Sequence, residues 1–393
     1  MNENIIYLDY QSSKPVDPEV FKAMEPYFLD KFGNPSSLHE TGDIATEAME
    51  AARKKIAKFI NAAKSEEIIF TSGATESNNL ALIGFAMRNK KKGKHVIISE
   101  VEHISIHNIA KFLEKQGFEV SKVPVNFTGK VRLDKLKERI REDTILISVQ
   151  YASSEIGTIQ PIKEISKIAH EHEIPLHVDA VAAEGLIPID VQADGIDILT
   201  LSSNDIYGPR GLGALYIKNH VRVNPLIIGG GQERGLRSGT EDVASIVGFS
   251  KAAEIAMNNM EKESDRLKDL RDKIIEYVLN KVPKSYLNGH KKDRLPNNAH
   301  FRFDWIEGES LLLSFKDKGI AISTGSACSS KTLEPSHTLI SLGLLHEEAH
   351  GSLEVTLGRW TTEDEVNTFL KELPGVVARL RELSPLTKKE ELK

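Results

Sequence analysis

Short apolar runs alternate with amphipathic segments between about residue 60 and residue 220. In the segment 161–172, for example, Ile162, Ile165 and Ile168 recur at the spacing of one helix face. Strands that alternate with helices of this length are typical of βα units. The predicted strands are 68–70, 95–98, 144–149, 175–178, 198–201 and 213–217, and helices are predicted from about 75, over 104–115 and over 161–172. The pattern therefore predicts an α/β fold with a mostly parallel central sheet and helices on both faces.

A long, strongly charged helical pattern covers about 250–282, and strands and helices follow it at lower density. This change of pattern predicts a domain boundary near Glu261. The predicted division is an N-terminal arm, 1–15, that packs with the small domain; a large α/β domain, 16–260; and a smaller α+β domain, 261–393, that carries Cys328.

The composition is that of a globular protein, with 393 residues, 40% of them hydrophobic and 27% charged. A net charge of -6 leaves no basic surplus for a phosphate backbone, which argues against a nucleic-acid partner. No run approaches the 18 apolar residues of a membrane span, and the N terminus lacks a basic and apolar leader. We therefore expect a cytoplasmic protein with no membrane partner. Because Cys328 is the only cysteine, the chain cannot form an internal disulfide.

Three polar features follow predicted strands, at the sheet edge where α/β proteins bind ligands. The stretch 71–79 (TSGATESNN) lies at a strand-to-helix junction, where free backbone N–H groups favour a phosphate, although a plain helix cap is the alternative. Asp179 ends an apolar strand and can pair with a pyridinium nitrogen, or it caps a loop. His103 also follows a strand and can stack on an aromatic cofactor, or it is a solvated loop residue.

Two further segments contain candidate chemistry. The block 229–240 combines glycines, hydroxyls and two arginines, which suits a loop that reaches an anion on a neighbouring subunit, with a plain flexible loop as the alternative. Small polar residues surround Cys328 at 324–330, and this setting favours an exposed, reactive thiol over an inert core cysteine.

Together these motifs resemble the cysteine desulfurases of iron–sulfur cluster assembly, which are class V aminotransferase-like enzymes that use pyridoxal phosphate (PLP). The resemblance extends over essentially the whole chain and rests on six motifs in the family's order. They are FGNPSSLH at 32–39, TSGATESNN at 71–79, EIGT at 155–158, HVDA at 177–180, GGGQERGLRSGTED at 229–242 and GSACSS at 325–330. The resemblance implies the PLP-transferase fold of type I.

The resemblance also implies roles for the matching residues. Cys328 is implied to attack the sulfur of L-cysteine and to carry it as a persulfide. A homodimer is implied, because the glycine-rich block reaches the other subunit's site. The implied cofactor contacts are Ala74, Thr75 and Ser202 on the phosphate, together with Thr240 of the partner subunit, His103 stacked on the ring, and Asp179 on the pyridine nitrogen.

Several positions depart from the family's pattern. The family's Ser-Gly-His-Lys reads Ser-Ser-Asn-Asp at 202–205, so Asp205 replaces the lysine that holds PLP as a Schiff base and moves the Cα proton. Asn204 replaces a histidine on the phosphate side. Ser154 replaces an asparagine, and Ala182 a glutamine, beside the ring oxygen. We keep Ser154, Asn204 and Asp205 among the predicted cofactor-binding positions.

The charge of the predicted pocket changes as well. Glu354 replaces the arginine that would bind the substrate carboxylate, and with Asp205 it shifts the pocket by four charge units towards negative, two for each exchange. We expect such a pocket to repel the carboxylate of an amino acid. Lys14 replaces part of an Ala-Thr-Thr turn, and we hypothesise that Lys14, Asp205 and Glu354 form a charged cluster.

These losses make PLP binding doubtful, and non-covalent if it occurs. The first hypothesis is therefore a divergent member that presents Cys328 to an iron–sulfur scaffold protein, either as sulfur acceptor or as a metal ligand in a shared iron–sulfur cluster. The second is an active desulfurase that uses non-covalently bound PLP to convert L-cysteine to alanine and a Cys328 persulfide. The third is a regulatory subunit without catalytic activity.

Overall fold

The computed structural model describes residues 5–325, 335–388 and 390, and its strands and helices are numbered in chain order. The strands are β1 (Ile6–Tyr7), β2 (Ile68–Thr71), β3 (His95–Ser99), β4 (Glu119–Val123), β5 (Thr144–Gln150), β6 (Leu176–Asp179), β7 (Ile198–Ser202), β8 (Gly213–Ile217), β9 (Ser285–Leu287), β10 (Asn298–Phe303), β11 (Ile320–Ala321) and β12 (Ser352–Thr356). The helices are α1 (Pro18–Met24), α2 (Pro26–Leu29), α3 (Glu40–Phe59), α4 (Ala74–Asn79), α5 (Phe85–Asn89), α6 (Ile104–Lys115), α7 (Leu133–Arg139), α8 (Ile162–Glu171), α9 (Val243–Lys281), α10 (Gly308–Lys316), α11 (His337–Ser341), α12 (His346–His350) and α13 (Glu363–Leu383).

The central sheet has seven strands in the order β2-β8-β7-β6-β5-β3-β4. Strand β8 runs antiparallel to both of its neighbours, and the other pairs are parallel. Alternate residues of β3 enter two different apolar clusters, with Ile97 in one and Val96 and Ile98 in the other. Both faces of the sheet are therefore covered, as parallel sheets require. The predicted α/β fold with a mostly parallel sheet is confirmed.

Most predicted elements lie within a residue or two of their predicted bounds, including α6 and β8. Strand β4 was not predicted, because its exposed edge position leaves Glu119 and Lys122 among its residues and the apolar run is broken. The long helix α9 begins at Val243, earlier than its charged pattern suggests. Asp242 caps this helix by accepting a hydrogen bond from the Ser245 backbone N–H.

The C-terminal part of the described chain forms its own sheet and apolar cluster. Strands β9, β10 and β12 pair antiparallel, and β1 pairs parallel with β11. The cluster joins Leu8, near the N terminus, to residues of the second half of α9 and of α10 and α13. Helix α9 passes without a break through Glu261, where the domain boundary is predicted, and the division at 1–15, 16–260 and 261–393 stays a prediction.

No helix in the described part of the chain is long and apolar enough to cross a membrane.

Candidate active site

One cavity of about 660 Å³ opens at the carboxyl ends of the central strands. Its wall includes Ser72 after β2, Gln150 and Asp179 at the ends of β5 and β6, and Ser202 at the end of β7. This is the edge at which open α/β sheets bind ligands, because several strands end there together and the loops that follow them converge. The volume is that of a small-molecule pocket.

The structure brings most of the predicted site residues to this one cavity. Thr240 instead lines a smaller cavity of about 130 Å³, beside Glu241 and Asp242. Cys328, predicted as the persulfide carrier and as a metal ligand, lies outside the described residues. The predicted residues that line the large cavity are Ala74, Thr75, His103, Ser154, Asp179, Ser202, Asn204 and Asp205.

The strand-to-helix junction after β2 forms one end of the cavity. Gly73 precedes α4 with φ of 141°, a conformation open to glycine, and an added Cβ there would meet no atom within 4 Å. Ala74 and Thr75 begin a helical run that continues through Leu80–Gly84 to the end of α5. The first N–H groups of such a run have no partner within the helix, so this end of the cavity suits an anion.

Asp179 presents a buried carboxylate to the cavity. Its Oδ2 accepts a hydrogen bond of 2.8 Å from Asn78 Nδ2, and its Oδ1 accepts one of 3.1 Å from the Val181 N–H. Burial raises the pKa of Asp179, although the hydrogen bond from Asn78 opposes this shift. A cationic partner in the cavity, such as a protonated ring nitrogen, would favour the ionised form.

His103 lies at the mouth of the cavity as the N-cap of α6. Its Nδ1 accepts a hydrogen bond of 3.2 Å from the Ser105 N–H and lies 2.8 Å from Ser105 Oγ. These contacts fix the imidazole at the cavity wall and leave Nε2 available to a ligand. The position suits a ring that lies against a flat cofactor.

Asp205 is not an isolated charge. Lys14 Nζ donates a hydrogen bond of 2.7 Å to the Asp205 backbone carbonyl and lies 3.4 Å from Asp205 Oδ1. Asn204 Nδ2 donates to the other carboxylate oxygen at 3.0 Å. The hypothesised cluster of Lys14, Asp205 and Glu354 is therefore present only as the pair of Lys14 and Asp205. Glu354 instead accepts a hydrogen bond of 3.3 Å from Asn298 Nδ2.

Glu354 and Glu155 form a second buried group of acids at the cavity wall. Burial raises the pKa of Glu354 well above its usual value and raises that of Glu155 to about 7. Within residues 5–325, 335–388 and 390, Glu155 Oε1 and His300 Nε2 have no hydrogen-bond partner, and they lie 3.9 Å apart. The expected shift of four charge units counts both acids as ionised and unpaired, whereas burial raises the pKa of Glu354 and Lys14 lies 3.4 Å from Asp205 Oδ1.

Sequence reasoning missed several polar residues at the cavity or directly behind it. Asn78, within the TSGATESNN motif, lies one helical turn after Ala74, so its helical position signals a side chain directed at the site. Glu102 precedes His103, and burial raises its pKa to about 8. Glu184 accepts a hydrogen bond of 2.7 Å from the Ser202 N–H. No local pattern marks Glu184 as part of the site.

Comparison with known proteins identifies the family. The model of the aminotransferase class-V family matches residues 6–369. The chain belongs to this family. It is 59% identical to cysteine desulfurase IscS 1 of Archaeoglobus fulgidus, over 97% of this chain and 99% of that protein. It is 50% identical to cysteine desulfurase IscS of Dictyoglomus turgidum, over 97% and 96%. A solved NifS-like protein superposes with a TM-score of 0.90 at 35% identity, over 96% of this chain and all of that one.

Membership of this family corrects the cofactor prediction. The expectation that PLP is doubtful, with an iron–sulfur cluster on Cys328 as the alternative, is wrong: a class-V chain this similar to cysteine desulfurases is expected to use PLP. The helix N terminus at Ala74 and the carboxylate of Asp179 line the cavity whichever residue stands at position 205.

The cavity itself fits PLP. An anion-binding end at Ala74 and Thr75 and the buried carboxylate of Asp179 belong to the same pocket. Ser202 Oγ, 3.1 Å from Asn204 Oδ1, adds a hydroxyl to the wall. Among the residues that the structure describes, no group of three or more His, Cys, Asp or Glu side chains is placed to hold a metal ion.

Proposed function

We propose that this chain is a PLP-dependent cysteine desulfurase of iron–sulfur cluster assembly, a divergent member in which Asp205 replaces the Schiff-base lysine. The relatives named above, which are cysteine desulfurases, align with nearly all of this chain and support the proposal. They favour an active enzyme over the non-catalytic hypotheses. The substrate is L-cysteine, the carbon product is alanine, and the sulfur passes through Cys328 to a scaffold protein.

The single observation that carries this proposal is that a helix start suited to an anion and a buried carboxylate line the same cavity. When bound, PLP supplies an electron-accepting ring that stabilises negative charge at the substrate Cα. The backbone N–H groups near Ala74 and Thr75 would hold the phosphate. Asp179, oriented by Asn78, would accept a hydrogen bond from the pyridine nitrogen. His103 would cover the ring and exclude water from one side.

The buried acids offer a way to hold the substrate carboxylate without an arginine. A protonated carboxyl group donates a hydrogen bond, so neutral Glu354 and Glu155 can bind a carboxylate that ionised glutamates would repel. Behind Glu155, His300 Nε2 has no hydrogen-bond partner among the described residues and lies 3.9 Å from Glu155 Oε1. This arrangement removes the electrostatic objection that the sequence raised against an amino-acid substrate.

Cys328 is proposed as the sulfur acceptor. Gly325 and Ser336, which flank the segment that contains it, both line the cavity. The Cys328 thiolate forms an S–S bond with the substrate sulfur as the substrate C–S bond breaks, and the carbon product takes up a proton to become alanine. The persulfide then passes its outer sulfur to the scaffold protein.

The proposal includes an assembly and a location. We propose a cytoplasmic homodimer in which Thr240 of the partner subunit reaches the phosphate end of the cavity. Within one chain Thr240 lies in a different, smaller cavity, which is consistent with a role in the second subunit's site. The division into an arm, a large domain and a small domain remains part of the proposal.

Anaerobic incubation of the purified protein with PLP, L-cysteine and a reductant tests the proposed function. We expect alanine and sulfide in equal amounts, at least tenfold above a control with PLP and no protein. Cys328→Ser should abolish sulfide release while PLP still binds, and Ser329→Ala, in the same segment, should retain both. Alanine production no higher than in the protein-free control would refute the proposal and favour the non-catalytic hypotheses.

A further inference from the structure

Lys14 places a primary amine beside the residue that stands in the Schiff-base lysine's position. Its Nζ contacts both the backbone carbonyl and the Oδ1 atom of Asp205. The two side chains are only 5% and 9% exposed. Among residues 5–325, 335–388 and 390, Lys14 is the only buried lysine. The primary amine of Lys14 therefore lies next to residue 205, the position at which the family's lysine is expected.

The backbone on either side of Lys14 is fixed to the body of the molecule. On the N-terminal side, the Leu8 N–H donates to the Ala321 carbonyl at 2.8 Å. On the C-terminal side, the Asp17 N–H donates to the Tyr207 carbonyl at 2.9 Å, and Tyr207 is two residues from Asp205. Lys14 thus lies between two backbone anchors, so the amine is held near Asp205 by the fold and not by the ion pair alone.

Asp205 both contacts the Lys14 amine and lines the cavity. Gln11 and Ser12, from the segment that carries Lys14, also line the cavity. The amine is 3.4 Å from an oxygen of the Asp205 carboxylate. A lysine side chain has four rotatable carbon–carbon bonds, and the inference requires that rotation about them brings Nζ to the cavity.

A purely structural role accounts poorly for this pair. A buried ion pair loses the hydration of both charges, and its net contribution to stability is often close to zero. An uncharged pair of the same size would fill the same space. The structure instead provides a proton donor and a proton acceptor in contact at the site where amine chemistry is expected.

We propose that Lys14 is the residue that binds the PLP aldehyde covalently, with Asp205 as its proton acceptor. The inference rests on the proposed use of PLP and goes beyond it. Asp205 takes one proton from the Lys14 ammonium, and the free amine forms a bond to the aldehyde carbon. The aldehyde oxygen leaves as water with the two remaining amine protons, and the proton on Asp205 passes to the nitrogen of the new C=N bond. No oxidant or reductant is needed.

Borohydride reduction followed by peptide mass spectrometry tests the proposal. Reduction converts a C=N bond into a stable amine, so we expect a phosphopyridoxyl adduct on the peptide that contains Lys14. Lys14→Arg keeps the positive charge and the donors to Asp205, but a guanidinium does not lose its proton. The variant should fold, lose the adduct and bind PLP at least tenfold more weakly in equilibrium dialysis. Lys55→Arg, in an exposed ion pair with Glu254, should keep the adduct.

Three outcomes would overturn the inference: no adduct on wild-type protein, an adduct on a different residue, or an unchanged adduct in Lys14→Arg. Failure of the inference can be told from failure of the proposed function. Alanine and sulfide production without an adduct refutes the role of Lys14 and leaves the desulfurase intact. Absence of PLP binding in dialysis refutes both.

Discussion

Buried carboxyl groups determine the electrostatics of the cavity at the residue scale. Burial raises the pKa of Glu102, Glu155, Glu184 and Glu354, because the charged form loses its hydration. Counting formal charges from the sequence therefore overstates the negative potential of this site. In its protonated form a buried carboxyl group can donate a hydrogen bond, which an ionised glutamate cannot do.

Replacing Glu102 by glutamine should change how stability depends on pH. The folded-state pKa is about 8, raised from 4.5, so between these values the folded protein keeps a proton that the unfolded chain releases. The folded state then binds more protons, and the free energy of unfolding falls as pH rises through this window, by up to about 1.4 kcal/mol per pH unit. Glu102→Gln should remove this part of the slope in urea denaturation at several pH values.

The geometry at Glu102 makes glutamine a close replacement. Oε1 accepts hydrogen bonds from Ser99 Oγ and the Gln150 N–H, and Oε2 has no partner in the described part of the chain, so an amide nitrogen can take the Oε2 position. Glu138→Gln, at an exposed carboxylate, is the matched control and should leave the slope unchanged. Parallel stability curves for wild type and Glu102→Gln would contradict the assignment.

At the scale of elements, a single buried ion pair connects α3 to the glycine-rich block. Arg53 donates from Nη1 and Nη2 to the two carboxylate oxygens of Glu233, at 2.8 and 2.6 Å. Glu233 also accepts from the Phe70 N–H on β2, at 2.8 Å. Three separate elements thus meet at one carboxylate, next to the cavity that contains Thr240.

Removing that carboxylate should be costly. Glu233→Ala leaves the Arg53 guanidinium buried without its main partner, and we expect a loss of about 3–5 kcal/mol in the free energy of unfolding. Glu50→Ala removes the other, half-exposed partner of Arg53 and should cost less than about 1 kcal/mol. Chemical denaturation measures both. Equal losses of unfolding free energy in the two variants would show that the buried ion pair stabilises the protein no more than the half-exposed one.

A second prediction at the scale of elements concerns Gly73, at the junction before α4. Gly73 has φ of 141° and ψ of 179°, and an alanine there is strained by its backbone alone, since the added Cβ meets no neighbour. Gly73→Ala should lower the free energy of unfolding by about 1–3 kcal/mol and weaken PLP binding at least tenfold as the junction shifts. Gly117→Ala, at a φ of 82° on the surface, shares the strain but should leave PLP affinity unchanged.

The elements of this fold that could be predicted from the sequence are those with a regular local pattern of apolar residues. Helix α6 and strand β8 were predicted within a residue because their apolar positions are regular and their ends are marked. Helix α3, Glu40–Phe59, was not predicted, because alanines make up much of its buried face and charged residues occur on every turn. Positions after strand ends, such as Asp179, were predictable because parallel strands share an edge. The contact between Lys14 and Asp205 spans 191 residues, so no local pattern could establish it.

The surface of the whole molecule carries apolar side chains that a single chain leaves in water. Phe32 and Leu38 of the FGNPSSLH motif are 72% and 102% exposed, and Ile228, next to the glycine-rich block, is 87% exposed. Exposed apolar groups in such motifs mark a surface that another chain covers. They support the proposed homodimer, in which the partner's Thr240 completes the phosphate end of the site.

Sedimentation analysis should therefore give twice the chain mass of 43.6 kDa. The double variant Phe32→Glu and Leu38→Glu places charges in the proposed interface and should produce monomers, because burying unpaired carboxylates opposes association. Its PLP affinity should fall at least tenfold, since each site then lacks Thr240 of the partner subunit. Phe127→Glu alters a side chain that is 81% exposed elsewhere and should stay dimeric. If the wild-type protein is a monomer and still binds PLP with full affinity, the cofactor site does not need the second subunit. The proposed role of Thr240 would then be wrong.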